Sequence, residues 1–217
     1  MSNGLPLASA FLKEVWWLLP LLFFLPLLRW LVTHPRLKGT VGERRVSRRT
    51  SRTLDAHVYQ TFDDLVLEDD KGLTQIDHVY VSIYGVFVLE TKNMEGWIFG
   101  GEYQREWTQV FPSQKRKFQN PLRQNYRHQK ALEGVLGLSE RQIHSVVVFA
   151  GSATFKTQMP EQVRYLHDYA DYIQSFRQQV LSEQECRAIC EKLSRLSQAG
   201  RTHKEAHRRA LQNRYGV

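Results

Sequence analysis

Gln75-Ile76-Asp77-His78-Val79 and, thirteen positions on from Asp77, Val88-Leu89-Glu90-Thr91-Lys92 decide how this chain is read. Between them stands Ser82-Ile83-Tyr84-Gly85, a turn signal flanked by strand-like residues. The spacing predicts a hairpin with Asp77 on one arm and Glu-x-Lys on the other. Strand side chains alternate faces, so Glu90 and Lys92 share one. A turn centred between Ile83 and Tyr84 sets Asp77 opposite Glu90. A turn centred between Tyr84 and Gly85, which puts a glycine at the second loop position, sets it opposite Lys92. Either register brings all three side chains to one side of the sheet, and a one-residue slip would also flip the apolar residues.

Two carboxylates facing each other repel unless a cation lies between them. Oxygen ligands of this kind suit Mg²⁺ or Mn²⁺, and the Thr91 carbonyl is a further hard ligand. Such a metal polarises a phosphodiester and acidifies a bound water. Lys92 beside that water would position it and stabilise developing negative charge. An exposed, charge-paired hairpin surface is the plainer reading of the same residues.

Surrounding motifs favour the chemical reading. Gly42-Glu43 opens a helical stretch expected over 42 to 59, and Asn120-Pro121-Leu122-Arg123-Gln124 opens another, with Pro121 suited to a first turn. Gly96-Trp97-Ile98 and Glu106-Trp107-Thr108-Gln109 lie between. In this order the motifs resemble the NERD (nuclease-related) domain of the PD-(D/E)xK, restriction-endonuclease-like superfamily. The resemblance covers roughly residues 39 to 150. It implies metal ligation by Asp77 and Glu90, with Lys92 catalytic. It also implies that Glu43 assists the metal and that Gln124 lines the site or touches nucleic acid. Ile76 precedes Asp77 where the superfamily name has proline, as is usual for this branch. Rival readings are a non-catalytic nucleic-acid-binding module or a membrane-tethered scaffold on the same fold.

Residues 15 to 32 are apolar apart from Arg29. That stretch approaches the roughly 20 residues needed to cross a bilayer. Trp16, Trp17 and Trp30 flank it as an aromatic belt would. Pro20 and Pro26 are tolerated in membranes, and Arg29 sits where it can snorkel. No basic start or Ala-x-Ala site suggests a cleaved signal. Lys13 and Glu14 precede it, whereas Arg36, Lys38, Arg44, Arg45, Arg48, Arg49 and Arg52 follow, so the positive-inside rule places the following domain in the cytoplasm. The expectation is a single-pass protein of the inner, cytoplasmic membrane. It has a short tail (1–14), an anchor (15–32), a linker (33–41), a nuclease core (42–150) and a mainly helical extension (151–217).

The 217 residues carry a formal charge of +8, a balance that favours polyanions such as nucleic acid or anionic lipid; the expectation of DNA ahead of RNA belongs to the nuclease resemblance, not to the charge. The Arg44–Arg52 run suits either. Lys115, Arg116, Lys117, Arg123 and Arg127 are candidate phosphate contacts, with a solvated face as the ordinary alternative. Trp97 and Trp107 are expected in the core. Cys186 and Cys190 share a helix face, a poor geometry for a disulfide, and are expected reduced. His203 and His207 are expected on a helix surface, and His78 on the sheet face opposite Asp77.

The expected fold is α/β, a restriction-endonuclease-like mixed sheet flanked by helices. Strands are expected near 62–67, 74–82, 85–92, 97–100 and 106–110. A helix over about 120 to 136 then leads to a buried strand over 143 to 149. Residues 150 to 160 read as a loop. Asp171 is expected to cap a helix to about Leu181, Ser182 to Glu185 read as a capping box, and a further helix starts near Thr202.

Overall fold

The computed structural model describes residues 35–215 apart from Lys71, with side chains described over 38–200. The segment 15–32, with Trp16, Trp17 and Trp30, lies outside the described residues, and so do the side chains of His203 and His207. Among the described residues no helix is long and apolar enough to cross a membrane. The chain divides into two compact units, Met1–Val41 and Gly42–Val217, and the second holds both sheets and the site.

Helix α1 runs Pro35–Thr53, starting earlier and ending sooner than expected over 42 to 59. Pro35 suits a first helical turn, so the stretch read as linker is largely helical. The helix ends where Asp55 offers its neighbours a turn instead. Its carbonyl takes the N–H groups of Val58 and Tyr59, and its Oδ1 accepts from the His57 N–H.

Strands β1 (Gln60–Asp69), β2 (Gly72–Ser82) and β3 (Gly85–Lys92) form an antiparallel meander. After strands β4 (Gly96–Phe99), β5 (Glu106–Phe111) and β6 (Gln114–Gln119) comes helix α2, Pro121–Leu136. It leads to β7 (Ile143–Phe149), which pairs in parallel with β3. A crossover helix between parallel neighbours is what such pairing requires. Two short strands follow, β8 (Ala153–Phe155) and β9 (Val163–Tyr165), then helices α3 (Tyr169–Gln174) and α4 (Glu183–Tyr215).

The strands make two sheets, ordered β1-β2-β3-β7-β9 and β6-β5-β4-β8. One face of the first sheet packs Val79, Val81 and Val88 against Leu132 of α2 and Ile189 and Leu193 of α4. The other packs Tyr80, Phe87, Leu89 and Val148 against Val46 of α1 and Tyr169 and Ile173 of α3. Trp107, Ile98 and Phe149 form a third cluster that joins the second sheet to the first. This is a mixed α/β fold with helices on both faces of a central sheet.

Several expectations need correction. The second sheet was legible only as two strand-like segments. Residues 150 to 160 contain β8, and β9 follows where only helices were expected. Helix α3 stops at Gln174, and Asp168 rather than Asp171 precedes its first turn. Beyond it, Val180 and Leu181 give their N–H groups to the Ile83 carbonyl, which holds that segment out of a helix. The capping box is present: Ser182 N–H donates to Glu185 Oε2 at 2.7 Å and Glu185 N–H to Ser182 Oγ at 3.2 Å. From there α4 is one helix through Gly200, with no second start near Thr202. Trp107 is fully buried as expected, but Trp97 is 52% exposed, with the Lys156 ammonium 5.0 Å from its ring centroid. Cys186 and Cys190 are free and half-buried against the α4-side cluster. Burial pushes the Cys190 thiol up to about 11.

Candidate active site

The β2–β3 hairpin turns on Ile83 and Tyr84, with Ser82 paired to Gly85. Of the two registers open to the sequence, this is the one that aligns Asp77 with Glu90. Gly85 is the first residue of the return strand rather than a loop residue. Its φ of 125° and the His144 ring, 2.7 Å from where a Cβ would lie, both require glycine.

The ladder between the arms ends at His78 and Leu89. Beyond it the strands fork, and Asp77 Oδ2 accepts the Thr91 N–H at 2.8 Å, in place of a backbone partner. Side-chain alternation also breaks here. Ile76 and Val79 pack in one cluster although they lie on opposite parities, and Phe62 and Leu65 do the same across Asp64, whose φ is 60°. Asp77 therefore reaches the end of β3 through a fork in the sheet, not simply from the face that alternation predicts.

Glu90 is 3% exposed, so its charge needs close partners. Lys92 Nζ lies 2.8 Å from Oε1, and Gln124 Nε2 donates to Oε2 at 2.8 Å. Lys92 also donates to Gln124 Oε1 at 2.9 Å, which closes a ring of three side chains. His128 Nε2 lies 3.2 Å from Glu90 Oε2, and its Nδ1 lies 3.0 Å from Thr74 Oγ1. A neutral imidazole protonated on Nε2 donates to the carboxylate and accepts from the hydroxyl, which satisfies both ring nitrogens.

Helix α2 delivers Gln124 and His128 from one face, one turn apart. Two buried asparagines hold that helix in place. Asn120 Oδ1 caps it by accepting the Leu122 N–H, while its Nδ2 donates to the carbonyls of Gly101, Glu102 and Gln104. Asn125 Nδ2 donates to the Val88 and Val146 carbonyls and to Ser145 Oγ, tying α2 to β3 and β7. Helix α1 approaches from the other side through Gly42, where a Cβ would lie 2.7 Å from Asn93 Cβ and 3.3 Å from Thr91 Cγ2. That approach explains why glycine precedes Glu43. Arg45 reinforces the contact by donating to the Ala150 carbonyl.

The field at the fork is strongly negative. Burial pushes the Asp77 carboxyl up to about 7, with Glu90 and Glu43 adding to it against the Thr91 N–H. Burial also raises Glu43, with Asp64, Glu90 and Asp63 adding and His78 opposing. His78, 1% exposed, holds its Nδ1 2.8 Å from Asp63 Oδ1, and its buried Nε2 has no partner among the described residues. Burial opposes ionisation of Asp63, but the His78 and Ser47 hydrogen bonds hold its carboxyl below the usual value overall. Among the described residues no three His, Cys, Asp or Glu side chains are arranged to hold a metal by themselves. Two carboxylates and a carbonyl do fit the protein share of a Mg²⁺ site, since that ion keeps several waters. The cost that Glu90 adds to a charge on Asp77 would be relieved by a cation.

The fork thus gathers Asp77, Glu90, Thr91, Lys92, Gln124 and Glu43. The phosphate candidates are dispersed. Lys115, Arg116 and Lys117 lie exposed on β6, where Lys117 is 3.8 Å from Glu106 and Arg116 donates to Gln114. Arg123 is exposed on α2. Arg127 is not a free phosphate contact, because its Nε and Nη2 donate to the two Asp69 carboxylate oxygens at 2.6 and 2.8 Å. His128, which the sequence did not single out as a site residue, is buried against Glu90. Its place four residues after Gln124 was the available signal. Thr74 carried none.

The NERD nuclease-related domain matches residues 38–150. An uncharacterized protein of Bacillus anthracis is 34% identical over 188 residues, which cover 83% of this chain and 87% of that protein. No solved structure matches the chain significantly. The matched segment runs from α1 through β7 and contains every residue gathered at the fork, and the chain belongs to the nuclease-related (NERD) domain family.

Proposed function

We propose that this protein is a membrane-anchored, metal-dependent nuclease that hydrolyses phosphodiester bonds in nucleic acid, with DNA the expected form. The observation that carries this reading is the ring of Lys92, Glu90 and Gln124 beside Asp77 at the fork of β2 and β3. The order of helix, antiparallel meander, crossover helix and parallel strand supports a restriction-endonuclease-like core within 42–150.

Asp77, Glu90 and the Thr91 carbonyl would hold Mg²⁺ or Mn²⁺. When bound, that ion supplies Lewis-acid polarisation of the phosphodiester and a more acidic water. The chain's own groups do the rest. The Lys92 ammonium, held by Glu90 and Gln124, offers its remaining proton to the charge that develops on the phosphoryl oxygens. Glu43 extends the negative field that favours a cation, and His128 fixes the rotamer of Glu90. Lys115, Arg116, Lys117 and Arg123 are proposed as outer phosphate contacts, with Arg127 joining only on exchange from Asp69. The apolar residues 15–32 and the basic residues after them support a single-pass anchor in the inner membrane with the nuclease domain in the cytoplasm.

The test is cleavage of labelled DNA and RNA by the full chain in detergent, with Mg²⁺, Mn²⁺ or EDTA. Product that needs the divalent ion and is lost in Lys92→Ala supports the reading. A folded protein that cleaves neither polymer, or a Lys92→Ala variant as active as the parent, sinks it.

A further inference from the structure

An open groove of about 1340 Å³ runs outward from the site along α2. It begins at Gln124 and His128 and passes between Leu73 at the β1–β2 turn and the β4–β5 loop with Tyr103 and Arg105. Its volume exceeds the roughly 300–1,000 Å³ of small-molecule pockets, so it suits a stretch of polymer better than a free metabolite.

Its charge is nearly balanced. Asp69 is held by Arg127, Glu106 lies 3.8 Å from Lys117, and Lys130 is paired with Glu133. Among the described residues, Arg105 and Arg123 are exposed cations on this lining, and Asp70 and Glu102 are exposed acids on it. A double helix shows its phosphates and hides its base faces, so this lining gives it little to hold. The aromatic lining is the opposite case. Tyr103 is 89% exposed and Tyr126 is 56% exposed, with the Lys130 ammonium 5.4 Å from the Tyr126 ring centroid and Leu73 at 61% on the β1–β2 turn. Rings left this open beside a site are platforms for flat partners, and unpaired bases supply them.

We infer that the groove binds single-stranded nucleic acid, with bases stacked on Tyr103 and Tyr126 and two phosphates on Arg105 and Arg123, and leads the strand to Lys92. This inference rests on the nuclease reading and adds the strandedness of the substrate.

The experiment is fluorescence anisotropy in EDTA, which prevents cleavage, with the full chain in detergent. The probes are labelled oligo-dT, oligo-rU and a duplex of mixed sequence. Single strands should bind at least about tenfold tighter than the duplex. Tyr103→Ala/Tyr126→Ala should weaken single-strand binding about fivefold to a hundredfold per lost stack and leave duplex binding unchanged. Two phosphate contacts predict a log–log salt slope of about −1.4 for single strands. Both tyrosines are largely exposed, and an unchanged melting curve for the double variant separates lost binding from lost folding. Duplex bound as tightly as single strand, or a double variant that binds single strands as the parent does, overturns the inference. Metal-dependent cleavage of duplex in that same protein would leave the nuclease reading standing. Absence of both binding and cleavage would end both.

Discussion

Replacing Asp77 with asparagine should stabilise this protein while abolishing the metal-dependent cleavage proposed for it. In the folded chain the Asp77 carboxyl is raised from its usual 3.8 to about 7, first by burial and then by Glu90. The folded state therefore holds this proton more tightly than the unfolded state does. Between about pH 4 and pH 7 the folded chain binds more protons, so stability falls as pH rises through that window. Above pH 7 the full penalty of ionising Asp77 is about 4 kcal/mol by the linkage relation, and solvent access to a half-buried group reduces it to about 2–4 kcal/mol. Asparagine removes the charge, and its Oδ1 can still accept the Thr91 N–H. Asp77→Asn should then exceed the parent by about 2–4 kcal/mol at pH 8 in EDTA, and the difference should vanish near pH 4. Urea unfolding followed by circular dichroism across that pH range measures it. Mg²⁺ at a hundred times its dissociation constant should add about 2.7 kcal/mol to the parent and nothing to the variant. A variant less stable than the parent at pH 8, or a difference that does not change with pH, would refute this account of the fork.

Three further outcomes follow from packing and burial. Gly42→Ala sets a Cβ 2.7 Å from Asn93 Cβ, so α1 must shift; a loss of about 1–3 kcal/mol in thermal or urea unfolding is expected, with reduced activity as Glu43 moves. Asn120→Ala removes the α2 cap and the side-chain donor to the Glu102 and Gln104 carbonyls, and should cost about 2–4 kcal/mol in the same assay. With its thiol near 11 rather than 9.0, Cys190 should carry about a hundredfold less thiolate at pH 8 than a free thiol, so iodoacetamide should label it far more slowly in the native chain than in urea.

The central sheet was legible because its signals are strong. The runs Val86–Leu89 and Val146–Phe149 are apolar on both faces, as strands covered by helices on both sides must be. The second sheet was harder to read. Strand β6 reads Gln-Lys-Arg-Lys-Phe-Gln and buries little beyond Phe118, whose ring meets Trp107 edge-on at 6.2 Å. Strands β8 and β9 are three residues each, too short for a period. Trp97 misled because an aromatic beside a glycine reads as core, whereas the alternation of β4 turns Ile98 inward and Trp97 out. At the site, spacing narrowed the register to two, and the motif resemblance brought Glu90, Lys92 and Gln124 to one site; which register holds and the hydrogen bonds among the three came from the structure. The fork at Asp77 could not be read from either, since it depends on a break in alternation matched across two strands. Nor could the burial of His128, which depends on Thr74 arriving from β2.

The most direct measurement is the single-turnover rate of phosphodiester cleavage as a function of Mg²⁺ concentration, for the parent and Asp77→Asn at pH 7.5. The account predicts a saturable rise with Mg²⁺ in the parent and no rate at any concentration in the variant, even though the variant is the more stable protein. Equal rates in the two proteins, or a parent rate indifferent to Mg²⁺ and to EDTA, would contradict it.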